Sequence, residues 1–181
     1  MARPGPLKSF FERYPSFDYN AFEPSTSEFR RLAKLMGWRR DDPEQKAAYE
    51  AFTDALANQF NSNYGSDAEN LESWQKLCDN LGIYPIPDDL IEARKAVFNT
   101  HVNLVDLTEG FDGAKEIDVF PIEEALSGYT KMTGKYFSSS RTAGTLLKAL
   151  LRNIHDPPSA SSRRNEFGRI VGGKKKGRRR K

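Results

Sequence analysis

The 181-residue chain reads as an all-α protein, and three observations carry that reading. Apolar residues recur at helical rather than alternating spacing in successive segments. Helix start signals such as Ser-x-x-Glu or Asp-Pro precede several of these segments, and a glycine follows some of them. Only one stretch, HVNLVDL at 101–107, is short, β-branched and apolar as a strand would be, and no second strong strand pattern is there to pair with it. The expected architecture is a compact bundle of five to seven helices, built from two related helical hairpins plus a C-terminal hairpin. An aromatic N-terminal strap (1–24) precedes the helical domain (25–156), and a disordered basic tail (157–181) follows it.

In the strap, Phe10, Phe11, Tyr14, Phe17, Tyr19 and Phe22 fall within thirteen positions. Pro15 and Pro24 hold the residues before them extended, so a helical turn at Phe10–Arg13 should give way to irregular chain. Few basic residues accompany these rings, which favours packing over the helical core rather than a stacking platform for bases. Ser25 and Glu28 fit a capping box at the start of the first long helix. Phe29, Leu32, Ala33 and Met36 form its apolar stripe, Gly37 is placed to end it in the left-handed region, and Trp38 caps the bundle. Asp42 and Pro43 open the next helix, which should run to about Asn61 and bury Ala48, Phe52, Ala55, Leu56 and Phe60.

A third helix is expected from Asp67 or Ala68 to Gly82, with Leu71, Trp74, Leu77, Cys78 and Leu81 on its inner face. Pro87 should open a fourth, covering Leu90, Ala93, Val97 and Phe98. At a shift of 45 positions EFRRLAKLMGW aligns with SWQKLCDNLGI, pairing Phe29 with Trp74, Leu32 with Leu77 and Gly37 with Gly82. The alignment suggests two related hairpins, fewer than the three units a solenoid needs. HVNLVDL is then a connector or a continuation of the helix, and residues 108–118 an exposed acidic loop. Pro121 opens a helix through Ile122, Ala125, Leu126, Tyr129 and Met132. A last helix carries Leu146, Leu147, Leu150, Leu151 and Ile154.

Charge is segregated along the chain. Residues 158–181 hold ten basic residues and one acid, a net +9, whereas residues 1–157 hold 18 basic and 24 acidic, a net −6. Residues 41–124 alone carry 19 acids against five basic residues, a net −14, which repels phosphate. The basic residues Arg163, Arg164, Lys174, Lys175, Lys176, Arg178, Arg179, Arg180 and Lys181 approximate a bipartite nuclear import pattern. An extended run of this kind suits the acidic groove of an import receptor, and would also contact DNA or RNA weakly and nonspecifically by counterion release. Arg30, Arg31, Lys34, Arg39 and Arg40 form the one basic cluster of the body, a secondary phosphate-contact candidate or a solvated helix face.

Catalytic and metal chemistry find little purchase. His101 and His155 are the only imidazoles, and with one cysteine they are too few for the usual zinc sites. His155 reads as a helix C-terminal cation, and Cys78 as a small core residue. Asp41/Asp42, Asp88/Asp89 and Glu123/Glu124 sit where helices start, where negative charge complements the dipole. No Walker, GxGxxG, HExxH or GxSxG motif occurs. No apolar run reaches transmembrane length, and the first residues lack a secretory pattern. No enzyme activity, cofactor, metal or membrane is expected. The expectation is a nuclear helical module that binds a protein partner, with a nucleic-acid-associated protein as the alternative.

FFERYPSFDYNAFEPSTSEFRRLAKLMGW, WQKLCDNLGI, THVNLVDL, GYTKMTGKYF and GTLLKALLRNI together resemble a family of small uncharacterised proteins of filamentous fungi and mushrooms. The resemblance covers about residues 9–155 and leaves out the tail. It implies a eukaryotic source and one compact unit, and carries no catalytic residue across.

Overall fold

The computed structural model describes residues 4–138, 140 and 142–172. Among them the chain forms eight α-helices: α1 (Pro6–Phe11), α2 (Ser25–Leu35), α3 (Pro43–Tyr64), α4 (Leu71–Asn80), α5 (Leu90–Phe98), α6 (Leu104–Glu109), α7 (Glu123–Thr133) and α8 (Thr145–Leu150). Four two-residue strands make two antiparallel ladders. β1 (His101–Val102) pairs with β2 (Val119–Phe120), and β3 (Arg163–Arg164) with β4 (Ile170–Val171). The fold is mostly helical, as expected, and the two strand pairs are short additions to it.

HVNLVDL divides at Asn103. His101 and Val102 pair with Phe120 and Val119, and α6 starts immediately after. Asn103 Oδ1 accepts from Val105 N at 2.9 Å and Asp106 N at 3.3 Å, while its Nδ2 donates to Thr130 Oγ1 at 3.0 Å and Lys135 O at 2.9 Å. One buried amide thus caps α6 and ties it to α7. The partner strand is two residues long, too short to show alternation in the sequence.

The core has two aromatic-rich clusters. The first joins the strap to α2 and α3 through Leu7, Phe10, Phe11, Phe17, Phe29, Leu32, Phe52 and Leu56. Phe11 stacks on Tyr19 at 4.2 Å and Phe29 on Phe52 at 4.9 Å, so the strap rings lie over the core as expected, apart from exposed Phe22. The second cluster gathers Phe60, Tyr64, Trp74, Leu77, Cys78, Val97, Phe98, Leu107, Leu146 and Leu147. The α4–α5 pair is a hairpin. The main partner of α3, however, is α1 rather than α2, so the two aligned segments do not build equivalent hairpins. What they share is the helix end: Gly37 and Gly82 have φ of 69° and 68°, and the amides of Trp38 and Ile83 reach back to Ala33 O and Cys78 O. Both are Schellman closures, which need a left-handed residue and therefore favour glycine.

Several boundaries move because side chains serve tertiary contacts instead of caps. Ser25 is the first helical residue, and its N and Oγ both donate to Glu109 Oε1, at 2.9 and 2.5 Å. Glu28 accepts from Asn20 N and Arg31, so the expected capping box is replaced by bonds to the strap and to α6. Asn70 caps α4 and Asp89 caps α5, which leaves Pro87 outside the helix. The α7 helix begins at Glu123 rather than Pro121. The last helix stops at Leu150, because Leu151 turns extended (ψ 136°) and Arg152 Nη2 donates to Phe98 O at 2.9 Å.

Two predictions follow from this packing. Asn103→Ala removes a cap and leaves buried partners unpaired, which should destabilise the protein by roughly 2–4 kcal/mol in urea unfolding monitored by Trp fluorescence. Burial pushes the Cys78 thiol up to about 11. It should therefore resist maleimide labelling at pH 8 in the native protein and react readily in denaturant.

Candidate functional site: the polar seam beneath the C-terminal β-hairpin

Within 157–172, the described part of the expected tail, the chain forms the β3–β4 hairpin. The turn between β3 and β4 is built by Asn165, whose Oδ1 accepts from Phe167 N at 3.1 Å and Arg169 N at 3.0 Å, and by Gly168 at φ 71°. Arg164 fixes this hairpin to the body. Its Nε and Nη2 donate to the two oxygens of Glu123 at 2.5 and 2.9 Å, and its Nη1 donates to Gly168 O at 2.6 Å. The backbone of Arg164 is held as well: its N–H donates to Asn99 Oδ1 and its carbonyl accepts from Asn99 Nδ2, both at 2.9 Å. Asn99, just past the end of α5, thus acts as a short partner strand for β3.

Glu123 sits in the first turn of α7, where the dipole favours a carboxylate. Burial raises its pKa, but the bonds from Arg164 and the charges of Arg152 and Arg164 outweigh that and hold it below the usual carboxylate range. His101 is half-buried on β1, and its Nδ1 is buried without a hydrogen-bond partner. Burial lowers its pKa; Glu123 opposes that shift, and Arg152, Arg164 and Arg163 add to it. The result is a neutral imidazole beside a committed ion pair. A second polar group lies toward the C-terminal end of α7. Lys135 Nζ contacts Asp106 Oδ1 at 2.7 Å and Tyr129 OH at 2.8 Å, and Tyr129 OH donates to Asp106 Oδ2 at 2.8 Å.

The sequence-predicted site residues divide in the structure. Arg163 is exposed and donates to Ser162 O, whereas Arg164 is the hairpin anchor. Lys174, Lys175, Lys176, Arg178, Arg179, Arg180 and Lys181 lie outside the described residues. In the body cluster, Arg31 is paired with Glu28 at 2.7 Å and lies over the Phe17 ring at 4.4 Å, and Arg30 donates to Thr133 O at 3.0 Å. Lys34, Arg39 and Arg40 are exposed. His155 does not end a helix: it lies beyond α8 and stacks on Tyr136 at 6.0 Å. Glu123 does more than complement a dipole. The hairpin had a legible signal, an Asn and a Gly inside RRNEFGRIV, but the partners Glu123 and Asn99 are remote in sequence and gave none.

No family model matches the chain, and neither the curated proteins nor the solved structures give a match. The fold and the seam therefore define the molecule on their own terms, as a mostly helical protein whose C-terminal β-hairpin is held to the body by an internal ion pair. Among the described residues no helix is long and apolar enough to cross a membrane, and no three His, Cys, Asp or Glu side chains converge as a metal site would require.

Arg164→Ala leaves the Glu123 carboxylate without its cation. Amides of residues 163–171 should then lose most of their hydrogen-exchange protection while the α3 and α4 amides keep theirs. The His101 pKa is depressed in the folded state, so the unfolded chain binds a proton that the folded chain refuses once pH drops below about 6.5. Stability should therefore fall as pH is lowered from 7 towards 5. His101→Gln should flatten that part of the curve, measured as the urea midpoint at each pH.

Proposed function

We propose that the protein is a nuclear, non-enzymatic helical interaction module whose basic C-terminal run is its import address. The observation that supports this reading is the hairpin anchor. β4 ends at Val171 on the body, so the run from Lys174 to Lys181 starts three residues beyond a fixed point and carries seven cations with no acid. Because Arg164 is spent on Glu123, the address reduces to this single cluster, with exposed Arg163 upstream. Phe167, Ile170 and Val171 are exposed on the same hairpin, giving a receptor an apolar contact beside the basic one. The strongly acidic stretch 41–124 weighs against a broad phosphate-binding surface and in favour of a protein partner for the body.

The test is localisation of the full chain fused to a reporter too large for passive passage through nuclear pores. The fusion should accumulate in nuclei, and replacing the seven cations from Lys174 to Lys181 by Ala should disperse it. Nuclear accumulation of the substituted protein would overturn the reading. A mobility-shift assay at low and physiological salt addresses the alternative of nucleic-acid contact: no shift is expected at physiological salt. A shift that persists there and is abolished by the same substitutions would favour phosphate binding instead.

A further inference from the structure

We infer that the cavity between α6, α7 and the segment after α8 is a binding site for a small carboxylate, with Arg152 as its anchoring cation. The cavity holds about 40 Å³ and is lined by Val102, Leu104, Leu126, Phe137, Leu151 and Ile154, with Asn103, Thr130, Lys135 and Arg152 as its polar walls. Such a volume is enough for about two or three water molecules, or for one acetate-sized ion. The apolar lining offers a water few partners, whereas a short aliphatic carboxylate places its carbons there and its oxygens on Arg152.

The charges near the cavity are unevenly compensated. Lys135 is paired with Asp106, and Arg164 with Glu123. Arg152 uses Nη2 on Phe98 O and lies 5.7 Å from the Phe98 ring, yet its Nη1 is buried with no hydrogen-bond partner. Glu123, the carboxylate that acts on Arg152, is already bonded through both oxygens to Arg164. A guanidinium carries five donors and stays charged, so an unmatched one in this setting is costly. A carboxylate matches its planar fork. The site is independent of the basic run 174–181 and of its reading as an import address.

The experiment is a titration of the intact protein with sodium acetate against sodium chloride at constant ionic strength, followed by amide chemical shifts and by melting temperature. Acetate should shift the amides of Asn103, Thr130, Leu151 and Arg152 saturably, with half-saturation at roughly 1–10 mM for a ligand of four heavy atoms. It should raise the melting temperature where chloride does not. Arg152→Met removes the unmatched charge, so it should abolish the saturable shift. Shifts that are linear in acetate, equal with chloride, or retained in the Arg152→Met protein would overturn the assignment. The wild-type titration decides the matter by itself if that variant does not fold. Displacement of acetate by N-acetyl-glutamate amide would identify a partner's side chain as the natural source of the carboxylate, and its failure a free acid.

Discussion

Helix α3 is the constraint on which the rest of the structure depends. Its 22 residues span about 33 Å, and it contributes to both aromatic clusters in turn. Ala48, Phe52, Ala55 and Leu56 serve the strap side, and Ala57, Phe60 and Tyr64 the α4–α5 side. The alanines let neighbouring elements approach closely, while the rings between them supply the buried area that offsets ordering the irregular strap. At its C-terminal end the Tyr64 hydroxyl donates to Leu107 O at 2.8 Å and accepts from Asn80 Nδ2 at 2.6 Å, which joins α3 to α6 and α4. Without this helix the two half-cores would be joined, among the described residues, only through Val105 and Leu107 of α6 and through Phe137.

Around that apolar spine, the second half of the chain also makes several long-range polar connections. Asn103 bridges α6 to α7, Glu109 receives Ser25, Asp106 holds Lys135 and Tyr129, and Glu123 holds Arg164. Buried pairs of this kind contribute little net stability, because desolvation offsets most of the attraction. Their effect is on geometry: each satisfies its partner in one arrangement, and a shifted register would strand a charge. This explains how two-residue strands persist in a helical protein. The ladders are too short to stand alone, and side chains such as Asn99 and Arg164 supply the bonds that longer strands would.

The apolar pattern is legible in the sequence and most of the polar one is not, for a physical reason. Helix stripes are local, so Phe29 with Leu32 or Trp74 with Leu77 and Cys78 announces itself within one or two turns. Helix ends set by Gly37 and Gly82 are equally local. Ser25 and Glu28 also obeyed a local rule, yet Glu109, 84 residues from Ser25, drew the serine away from the cap. Pro87 and Pro121 are placed by local pattern to open helices, whereas α5 starts at Leu90 behind the Asp89 cap and α7 at Glu123. The aligned segments around Gly37 and Gly82 share a helix end and not a packing arrangement, since repeated patterning specifies local form and leaves the partner open.

Composition and pattern by themselves determined a mostly helical body, the aromatic strap laid on its core, the buried inert thiol and the division into an acidic body and a basic C-terminal end. Those features follow from residues within a few turns of each other, or from sums over long stretches. The tertiary structure alone decided that Arg164 belongs to the body, that His101 sits neutral beside an occupied carboxylate, and that Arg152 keeps one buried donor without a partner. Each of these depends on which charges meet across gaps of tens of residues. Such pairings have no period and no motif, and only packing in three dimensions selects them.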